Sequence, residues 1–218
     1  MVNRKRGLSC GVGVNDADYV IVKKESWYEG GKKVSKQIWK CPYYSKWYSM
    51  IERCYSKKFQ EKSPTYKGCT VSEEWLTFSN FRRWMVDQEV LLGGLEGMQP
   101  DKDILFEGNK IYSEDTCVFV HVKVNNFMMS RNKARGKNLI GCHCVKDRYN
   151  FRAECQNPLT SKSDHLGYFD SEMDAHIAWK TAKHKYAGEL SNSIYVTDSR
   201  VAERLLAMYA PNIDWTKV

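Results

Sequence analysis

Residues 140–156 read IGCHCVKDRYNFRAECQ, and residues 166–187 read LGYFDSEMDAHIAWKTAKHKYA. Short apolar or alternating runs, separated by polar turns, are typical of strands. The pattern predicts strands at Ile140–Val145, Asn150–Gln156 and Leu166–Phe169, joined by a tight turn and a longer polar loop. Because consecutive strands with short connections usually pair with each other, we expect a three-stranded antiparallel sheet here.

The middle strand and the segment after the third strand indicate how this sheet is covered. Apolar and polar residues alternate along the middle strand, as they do in a half-buried strand. We expect the inward face to carry Phe151, Ala153 and Cys155, and the outward face to carry Arg152, Glu154 and Gln156. Ser171 and Asp174 resemble a capping box, which predicts a helix start near Asp170 or Ser171. The helix has a narrow stripe that lets it lie close to the sheet: Ala175, Ala178, Ala182 and Tyr186.

The composition favours an anionic partner. The 218-residue chain has a formal net charge of +8 and a pI near 9.0, which promotes electrostatic capture of a polyanion without naming it. Its eight cysteines are spread irregularly, and no apolar signal peptide is apparent, so we expect an intracellular, reduced protein. No stretch has the length of a transmembrane helix, so no membrane partner is expected. Cys142 and Cys144 share a strand face and form no CxxC pair, which favours buried thiols over a zinc site.

The stretch from Ile140 to Ala187 resembles an AP2 domain in the glycine of its first strand, its basic-aromatic hairpin, its strand-to-helix join and its alanine stripe. The resemblance implies that the sheet lies in the major groove of double-stranded DNA, with the helix packed behind it. A ribbon of strands fits that groove, and arginine and glutamine suit guanine and adenine edges. The DNA contacts implied on the sheet are His143, Lys146, Arg148, Tyr149, Arg152 and Gln156. Relatives carry more arginines here and a tryptophan near His165, so no base preference is transferred.

The linker before this sheet is basic and reads SRNKARGKN (130–138). Such residues suit a segment that lies on phosphate. The contacts expected from it are Arg131, Lys133, Arg135 and Lys137. The alternatives are a solvated linker and a packing module that binds no DNA.

Helical patterns precede a predicted hairpin in the centre of the chain. Apolar residues recur at three- and four-residue spacing in KWYSMIERCY (46–55), and again in SEEWLTFSNFRRWM (72–85) within a helix expected over Ser72–Gln88. A hairpin and a short helix are predicted in DKDILFEGNKIYSEDTCVFVHVKVNNF (101–127), with the first strand at Asp101–Phe106, the turn at residues 107–109 and the helix from about His121. These stretches together resemble the HNH-like endonucleases of phages and mobile elements.

That resemblance implies a ββα finger that holds one divalent cation, Mg²⁺ or another, beside a phosphodiester bond. Asp101 and Asp103 lie at i and i+2, on one face of the predicted strand, and their carboxylates suit Mg²⁺. Lys102 would stabilise charge on the phosphate. The other implied catalytic residues, which would position water or phosphate or orient the site, are Asn109, Tyr112 and Asn126.

The histidine that usually acts as the base in this family is missing, because no histidine precedes His121. A carboxylate, Lys102 or His121 would have to activate water, or the finger is inactive. Structural roles are the alternative for the implied site: solvated strand carboxylates, a turn residue at Asn109, a core residue at Tyr112 and a cap at Asn126.

The sequence as a whole predicts an α+β protein in which an HNH-like ββα finger with helical elements precedes an AP2-type sheet on one helix. The expected segments are an N-terminal arm (1–36), an HNH-like nuclease domain (37–130), an AP2-type DNA-binding domain (131–190) and a C-terminal helical tail (191–218). The expected activity is metal-dependent cleavage of double-stranded DNA, in the host cytoplasm if a phage encodes the protein. A catalytically silent DNA-binding regulator or accessory protein, and a phage factor that binds a protein partner, are the alternatives. One finger would cut one strand, so a double-strand break would need two chains or two events. A homodimer is therefore a further alternative.

Overall fold

Helices and short strands alternate along the chain in a computed structural model that describes residues 7–129, 138–145 and 150–214. In chain order, the elements are β1 (Val22–Glu29), β2 (Lys32–Lys40), α1 (Pro42–Tyr55), α2 (Lys57–Lys62), β3 (Thr70–Val71), α3 (Glu73–Leu76), α4 (Phe78–Leu92), β4 (Met98–Asp101), β5 (Ile111–Tyr112), β6 (Val118–His121), α5 (Val122–Met128), β7 (Cys142–Val145), β8 (Asn150–Gln156), β9 (Ser163–Phe169), α6 (Glu172–Ser191) and α7 (Ser199–Met208). The mixture of helices and small antiparallel sheets agrees with the predicted α+β class. None of the helices formed by the described residues is long and apolar enough to cross a membrane.

The described residues divide into two compact units. The first takes its residues from Met1–Leu95 and Phe106–Val118, and the second from Glu96–Leu105 and Phe119–Val218. The chain therefore leaves the first unit after Leu95, returns to it at Phe106 and leaves it again after Val118.

Aromatic side chains of α1, α3 and α4 form the core of the first unit. Both predicted apolar stripes supply it, with these residues buried: Trp47, Ile51, Cys54, Trp75, Phe78, Phe81, Trp84 and Met85. Trp47 Nε1 donates to the Trp75 carbonyl oxygen at 2.7 Å, which satisfies the polar atom of that ring inside the core. Burial of each phenylalanine contributes roughly 1.5–3 kcal/mol, so this core holds the unit together.

The single helix predicted over Ser72–Gln88 is broken at Thr77, which separates α3 from α4. Thr77 is extended, with φ −92° and ψ 124°, and bridges Val14 in parallel. Val14 N donates to Leu76 O at 2.8 Å, and Phe78 N donates to Val14 O at 3.0 Å. Because these backbone groups bond to Val14, the helical hydrogen-bond pattern cannot run through Thr77.

A long antiparallel hairpin, β1 and β2, precedes the first helix. Its loop is Gly30-Gly31, and both glycines have positive φ, 57° and 77°, as two-residue hairpin turns require. The sequence predicted an N-terminal arm up to residue 36, whereas cross-strand pairing forms a hairpin that continues to Lys40. Nearly all of its residues are exposed.

The predicted three-stranded antiparallel sheet is confirmed in the second unit, in the order β7, β8, β9. Its inward face packs on α6 through Cys142, Ala153 and Ala175, flanked by Leu139, Phe151, Leu166, Phe169 and Ala178. Gly141 is required by this packing, because its φ is +83° and an added Cβ would lie 2.0 Å from Trp179 Cγ on α6. The predicted helix start is also confirmed, since Ser171 Oγ accepts from the backbone N–H of Asp174 at 3.1 Å.

The predicted C-terminal helix is confirmed as α7. The next residue, Tyr209, forms hydrogen bonds with residues of α5 and α6. The Tyr209 hydroxyl donates to the Phe127 carbonyl oxygen at 2.9 Å, and His184 Nδ1 lies 3.0 Å from the Tyr209 carbonyl oxygen. The second unit therefore joins the helix after β6 to the helix behind the three-stranded sheet.

The pairing predicted for the hairpin over Asp101–Val120 is wrong. Its first strand ends at Asp101 as β4 and pairs with β6. The expected returning strand, β5, pairs in parallel with β3. Thr70 N donates to Lys110 O at 2.8 Å, and Ser72 N donates to Tyr112 O at 2.9 Å, so these bonds draw β5 to β3. The predicted short helix is confirmed as α5.

Candidate functional site

The turn after β4 brings three predicted catalytic residues together, and we call Asp101, Lys102 and Asp103 the acidic turn. Asp101 Oδ1 accepts from the backbone N–H groups of Asp103 at 3.0 Å and Ile104 at 2.9 Å. Aspartate bonds of this kind fold the chain into a turn, so Asp103 does not share a strand face with Asp101 as predicted. Lys102 is only 6% exposed, and its Nζ lies 2.8 Å from Asp103 Oδ2.

The two carboxyl groups of the acidic turn have opposite pKa shifts. Burial raises the pKa of Asp101 to about 6, helped by a hydrogen bond to Asp103 and by the negative charge of that residue. Burial alone would also raise the pKa of Asp103, but hydrogen bonds from Lys102 and Asp101 lower that pKa below its ordinary value. Neighbouring carboxyl groups whose pKa values are pushed apart can share a proton or bind a cation. A proton and a cation would therefore compete for the Asp101 carboxylate at a pH of about 6.

Asp101 and Asp103 are the carboxylates of the acidic turn that could hold a Mg²⁺ ion. Mg²⁺ usually takes one or two carboxylates and fills its other positions with water and substrate phosphates. Asp101 and Asp103 supply two carboxylates, and Lys102 already neutralises one of them. In the part of the chain that the structure describes, no cluster of three or more histidine, cysteine, aspartate or glutamate side chains offers a fuller cage. A cation here would depend on water and phosphate for most of its ligands.

Asn109 and Tyr112 belong to the first unit and have structural partners there. Asn109 Nδ2 donates to the Ile111 carbonyl oxygen at 2.7 Å, and Asn109 Oδ1 accepts from the Ile111 N–H at 3.1 Å. The positive φ of this turn, 77°, lies at Gly108. Tyr112 is buried, and burial raises its pKa even though a hydrogen bond from Arg53 opposes the shift. Both residues thus stabilise the chain around β5, and Tyr112 has the core role that the structural alternative gave it.

Asn126, on α5, opens onto a cavity of about 70 Å³ within the second unit. The cavity, which we call the two-lysine pocket, is lined in part by Lys123, Asn126, Phe127, Gln156, Ser161 and Lys183. Gln156 is a predicted DNA contact and Asn126 a predicted catalytic residue. The pocket therefore joins one residue from each predicted site.

Backbone carbonyl groups hold the lysines of the two-lysine pocket in place. Lys183 Nζ donates to Phe127 O at 2.9 Å and lies 3.7 Å from the centre of the Phe127 ring. Lys123 Nζ donates to Leu159 O at 2.8 Å. Burial lowers the pKa of Lys183 to about 8. Among the described residues, no carboxylate forms an ion pair with either lysine, so the pocket suits an anion such as phosphate.

The sequence prediction missed both lysines of this pocket. Lys123 stands inside the apolar run VHVKV (120–124), and Lys183 follows the alanine stripe of α6. A charged residue inside an apolar run is a usable signal, because burial of its ammonium group needs a polar partner. The signal does not identify the partner, which comes from another part of the fold.

The outward face of the β7–β9 sheet carries three predicted DNA contacts, His143, Arg152 and Gln156. His143 lies opposite Arg152, and Arg152 lies opposite Tyr168. The side chains of His143, Arg152 and Tyr168 therefore form a row across the three strands. His143 and Arg152 each neighbour a buried residue, Cys142 and Ala153, which places them on the outward face, whereas Gln156 at the end of β8 lines the two-lysine pocket. The other predicted contacts lie outside the described residues: Arg131, Lys133, Arg135, Lys137, Lys146, Arg148 and Tyr149.

Glu154 places a negative charge on this outward face. Its Oε2 lies 3.1 Å from Arg152 Nη2 and 3.8 Å from His143 Nε2. Exposed ion pairs of this kind are worth only about 0–1 kcal/mol, so a stronger anion can displace Glu154 from Arg152. The sequence predicted the outward orientation of Glu154, but not that it would offset the charge of Arg152.

No protein-family model, curated protein or solved structure matches the chain. The resemblances to AP2 domains and HNH-like endonucleases therefore rest on the motifs quoted above.

Proposed function

We propose that the protein is a divalent-metal-dependent endonuclease that binds double-stranded DNA through the outward face of β7, β8 and β9. The observation that carries the proposal is the acidic turn, where Asp101 and Asp103 have opposite pKa shifts beside the buried Lys102. Perturbed acid pairs are common at sites that bind a cation or move a proton. The HNH-like motif around this turn and the AP2-like motif of the sheet support the same activity.

In this proposal, Asp101 and Asp103 hold Mg²⁺ or another divalent cation, and Lys102 positions Asp103. A cation held there would supply Lewis-acid stabilisation of charge on the leaving oxygen. The burial of Lys102 suits this positioning role better than the direct phosphate contact expected from the sequence. The two-lysine pocket, with Asn126 at its edge, supplies a further phosphate site on the same unit.

The outward face of the sheet has the side chains that base recognition requires. Arg152 suits the acceptors of guanine, and Gln156 suits the paired donor and acceptor of adenine. Glu154 has two roles open to it, since it can release Arg152 to the DNA or accept a hydrogen bond from cytosine N4. His143 and Tyr168 flank Arg152 in the cross-strand row.

Nicking of supercoiled plasmid tests the proposed activity. The protein is incubated with Mg²⁺ or with EDTA, beside Asp101→Ala, Asp103→Ala and the matched control Glu96→Ala, an exposed carboxylate of the same unit. We expect Mg²⁺-dependent nicking by the unmodified protein and by the Glu96 variant, and its loss in both aspartate variants. Nicking that persists in EDTA, or in both aspartate variants, would overturn the assignment of the acidic turn.

The pH dependence of nicking gives an independent check on Asp101. Its pKa is about 6, so its ionised fraction rises with pH through that value. Because a proton and a cation compete for the carboxylate, the rate at limiting Mg²⁺ should rise between about pH 5 and about pH 7. Saturating Mg²⁺ should move this rise to lower pH. A rate that is flat across the range at limiting Mg²⁺ would argue against Asp101 as a ligand.

A catalytically silent DNA-binding protein is the second candidate. The ion pair between Lys102 and Asp103 favours it, because the ammonium group already occupies one of the two carboxylates. This candidate predicts duplex binding that weakens steeply with salt, without nicking in any divalent metal. Failure to bind DNA at low salt would leave the protein-partner alternative.

A further inference from the structure

The β1–β2 hairpin separates its charged residues onto two faces. Its register pairs Lys24 with Gln37 and Tyr28 with Lys33, and Lys40 lies on the same side, since it lines one cavity with Lys24 and Gln37. We call these five residues the lysine face. The opposite face carries both signs of charge, in Lys23, Lys32 and Lys36 with Glu25 and Glu29. Within this hairpin, which is described throughout, no carboxylate lies on the lysine face.

The lysine face is accessible along the hairpin. Tyr28 is 75% exposed, and Lys24 and Lys33 are exposed as well. A two-stranded hairpin has little core of its own and is only marginally stable alone in water. The lysine face offers lysine ammonium groups, the Gln37 amide and the Tyr28 hydroxyl on an exposed hairpin. These hydrogen-bond donors suit an anionic partner that accepts hydrogen bonds.

A cavity of about 570 Å³ opens at the base of the lysine face, against α1. Lys24, Gln37 and Lys40 line it from the hairpin, and Tyr44 and Tyr48 line it from the helix. Lys40 Nζ lies 5.6 Å from the centre of the Tyr44 ring and 5.2 Å from that of Tyr48. The two tyrosine rings therefore hold the Lys40 ammonium group beside this cavity, which the Gln37 amide also lines.

We propose that the lysine face is a second DNA-binding surface, which enters the major groove of a duplex as a two-stranded ribbon. The inference rests on the proposed function only in taking double-stranded DNA as the partner. Lys33 lies opposite Tyr28, four positions along the ribbon from Lys24. At 3.3 Å per residue this separates the two lysines by roughly 13 Å, close to the major-groove width of about 12 Å, so they can reach phosphates on both edges.

Two double variants of the full chain test this surface against the rest of the hairpin. Lys24→Gln with Lys33→Gln removes two charges from the lysine face, and Lys32→Gln with Lys36→Gln removes two from the opposite face. Duplex affinity is measured by fluorescence anisotropy over a range of salt, with thermal unfolding as a check of folding. We expect the lysine-face variant to bind about tenfold more weakly at about 0.1 M salt, with a salt slope smaller by about 2. The control should stay within about twofold of the unmodified protein.

A third variant, Arg152→Ala, separates failure of this inference from failure of the proposed function. Equal losses in the two double variants overturn the inference, and a loss in the Arg152 variant then leaves the sheet as the DNA reader. A loss in the lysine-face variant with none in the Arg152 variant supports the inference and counts against the sheet. The inference is also overturned if the lysine-face variant binds single-stranded oligonucleotide more weakly but duplex equally well. Absence of duplex binding by the unmodified protein overturns it too.

Discussion

The β7–β9 sheet and the β1–β2 hairpin are both antiparallel and both carry cationic side chains, yet they are stabilised differently. The sheet packs one face on α6, where Ala153 and Ala175 are fully buried. The hairpin is exposed along most of both faces and depends mainly on cross-strand pairs. Such pairs contribute roughly 0.2–1 kcal/mol each, whereas burying a single phenylalanine contributes roughly 1.5–3 kcal/mol. A packing defect should therefore be felt in the sheet and tolerated in the hairpin.

The second unit and the β1–β2 hairpin also differ in how their charged side chains are arranged. In the second unit, two cationic side chains pair with carboxylates, Lys102 with Asp103 and Arg152 with Glu154. On the lysine face, Lys24 and Lys33 are exposed without a carboxylate on their side of the described hairpin. Substitutions within these ion pairs should therefore disturb a contact between a cation and a carboxylate as well as ligand binding, whereas substitutions on the lysine face should change ligand binding alone.

The largest effect is expected from alanine at two glycines that have similar positive φ. Gly141 has φ +83° and an added Cβ would meet Trp179 Cγ at 2.0 Å, whereas Gly31 has φ +77° and no described atom within 4 Å of its added Cβ. Gly141→Ala should lower the free energy of unfolding by roughly 3 kcal/mol or more, and Gly31→Ala by about 1 kcal/mol. Urea unfolding followed by circular dichroism measures both. Equal losses would show that α6 does not hold the sheet by close packing.

The next effect compares the half-buried carboxyl group of Asp101 with an exposed one. The pKa of Asp101 is raised from 3.8 to about 6, so the folded state binds its proton more tightly and stability falls as pH rises through that window. Asp101→Asn keeps the neutral form and should raise the free energy of unfolding at pH 8 by on the order of 2 kcal/mol. Glu29→Gln, on the hairpin, should change it by less than about 0.5 kcal/mol. Thermal unfolding at pH 4 and pH 8 provides the measurement, and parallel pH curves for the protein and its Asp101 variant would refute the buried-carboxyl account.

The smallest effect compares two glutamates for their influence on DNA binding. Glu154→Gln removes the carboxylate that pairs with Arg152 and should tighten duplex binding roughly fivefold at moderate salt. Glu25 lies on the face opposite the lysine face, so Glu25→Gln should change duplex affinity by less than about twofold. Fluorescence anisotropy with one labelled duplex measures both. Weaker binding of the Glu154 variant would mean that this carboxylate contacts the DNA instead of opposing it.

Local patterns made the β7–β9 sheet and α6 predictable from the sequence. Alternation around Ala153 indicated the face of β8, and the Ser171 cap with Ala175 indicated the start and inner face of α6. These signals depend on residues close in the chain, where strand and helix periodicity apply directly. The partner of β4 was mispredicted because it depends on the Asp101 turn and on a pairing of β5 with β3 that no local pattern encodes.

The candidate site was predictable as residue types but not as an arrangement. Asp101 and Asp103 could be named from their spacing, whereas the burial of Lys102 between them could not. Lys123 and Lys183 meet only because α5 packs on α6, and they are far apart in the sequence. Side chains gathered by tertiary packing leave little trace in a single sequence.

The central claim, that the acidic turn cuts DNA held by other surfaces, is tested most directly by Asp103→Asn on one end-labelled duplex with Mg²⁺. Binding and cleavage are measured on the same DNA. Asp103 is predicted to hold the cation and not the duplex, so cleavage should fall at least roughly 100-fold while the dissociation constant stays within about twofold. Unchanged cleavage, or a loss of binding as large as the loss of cleavage, would contradict the account.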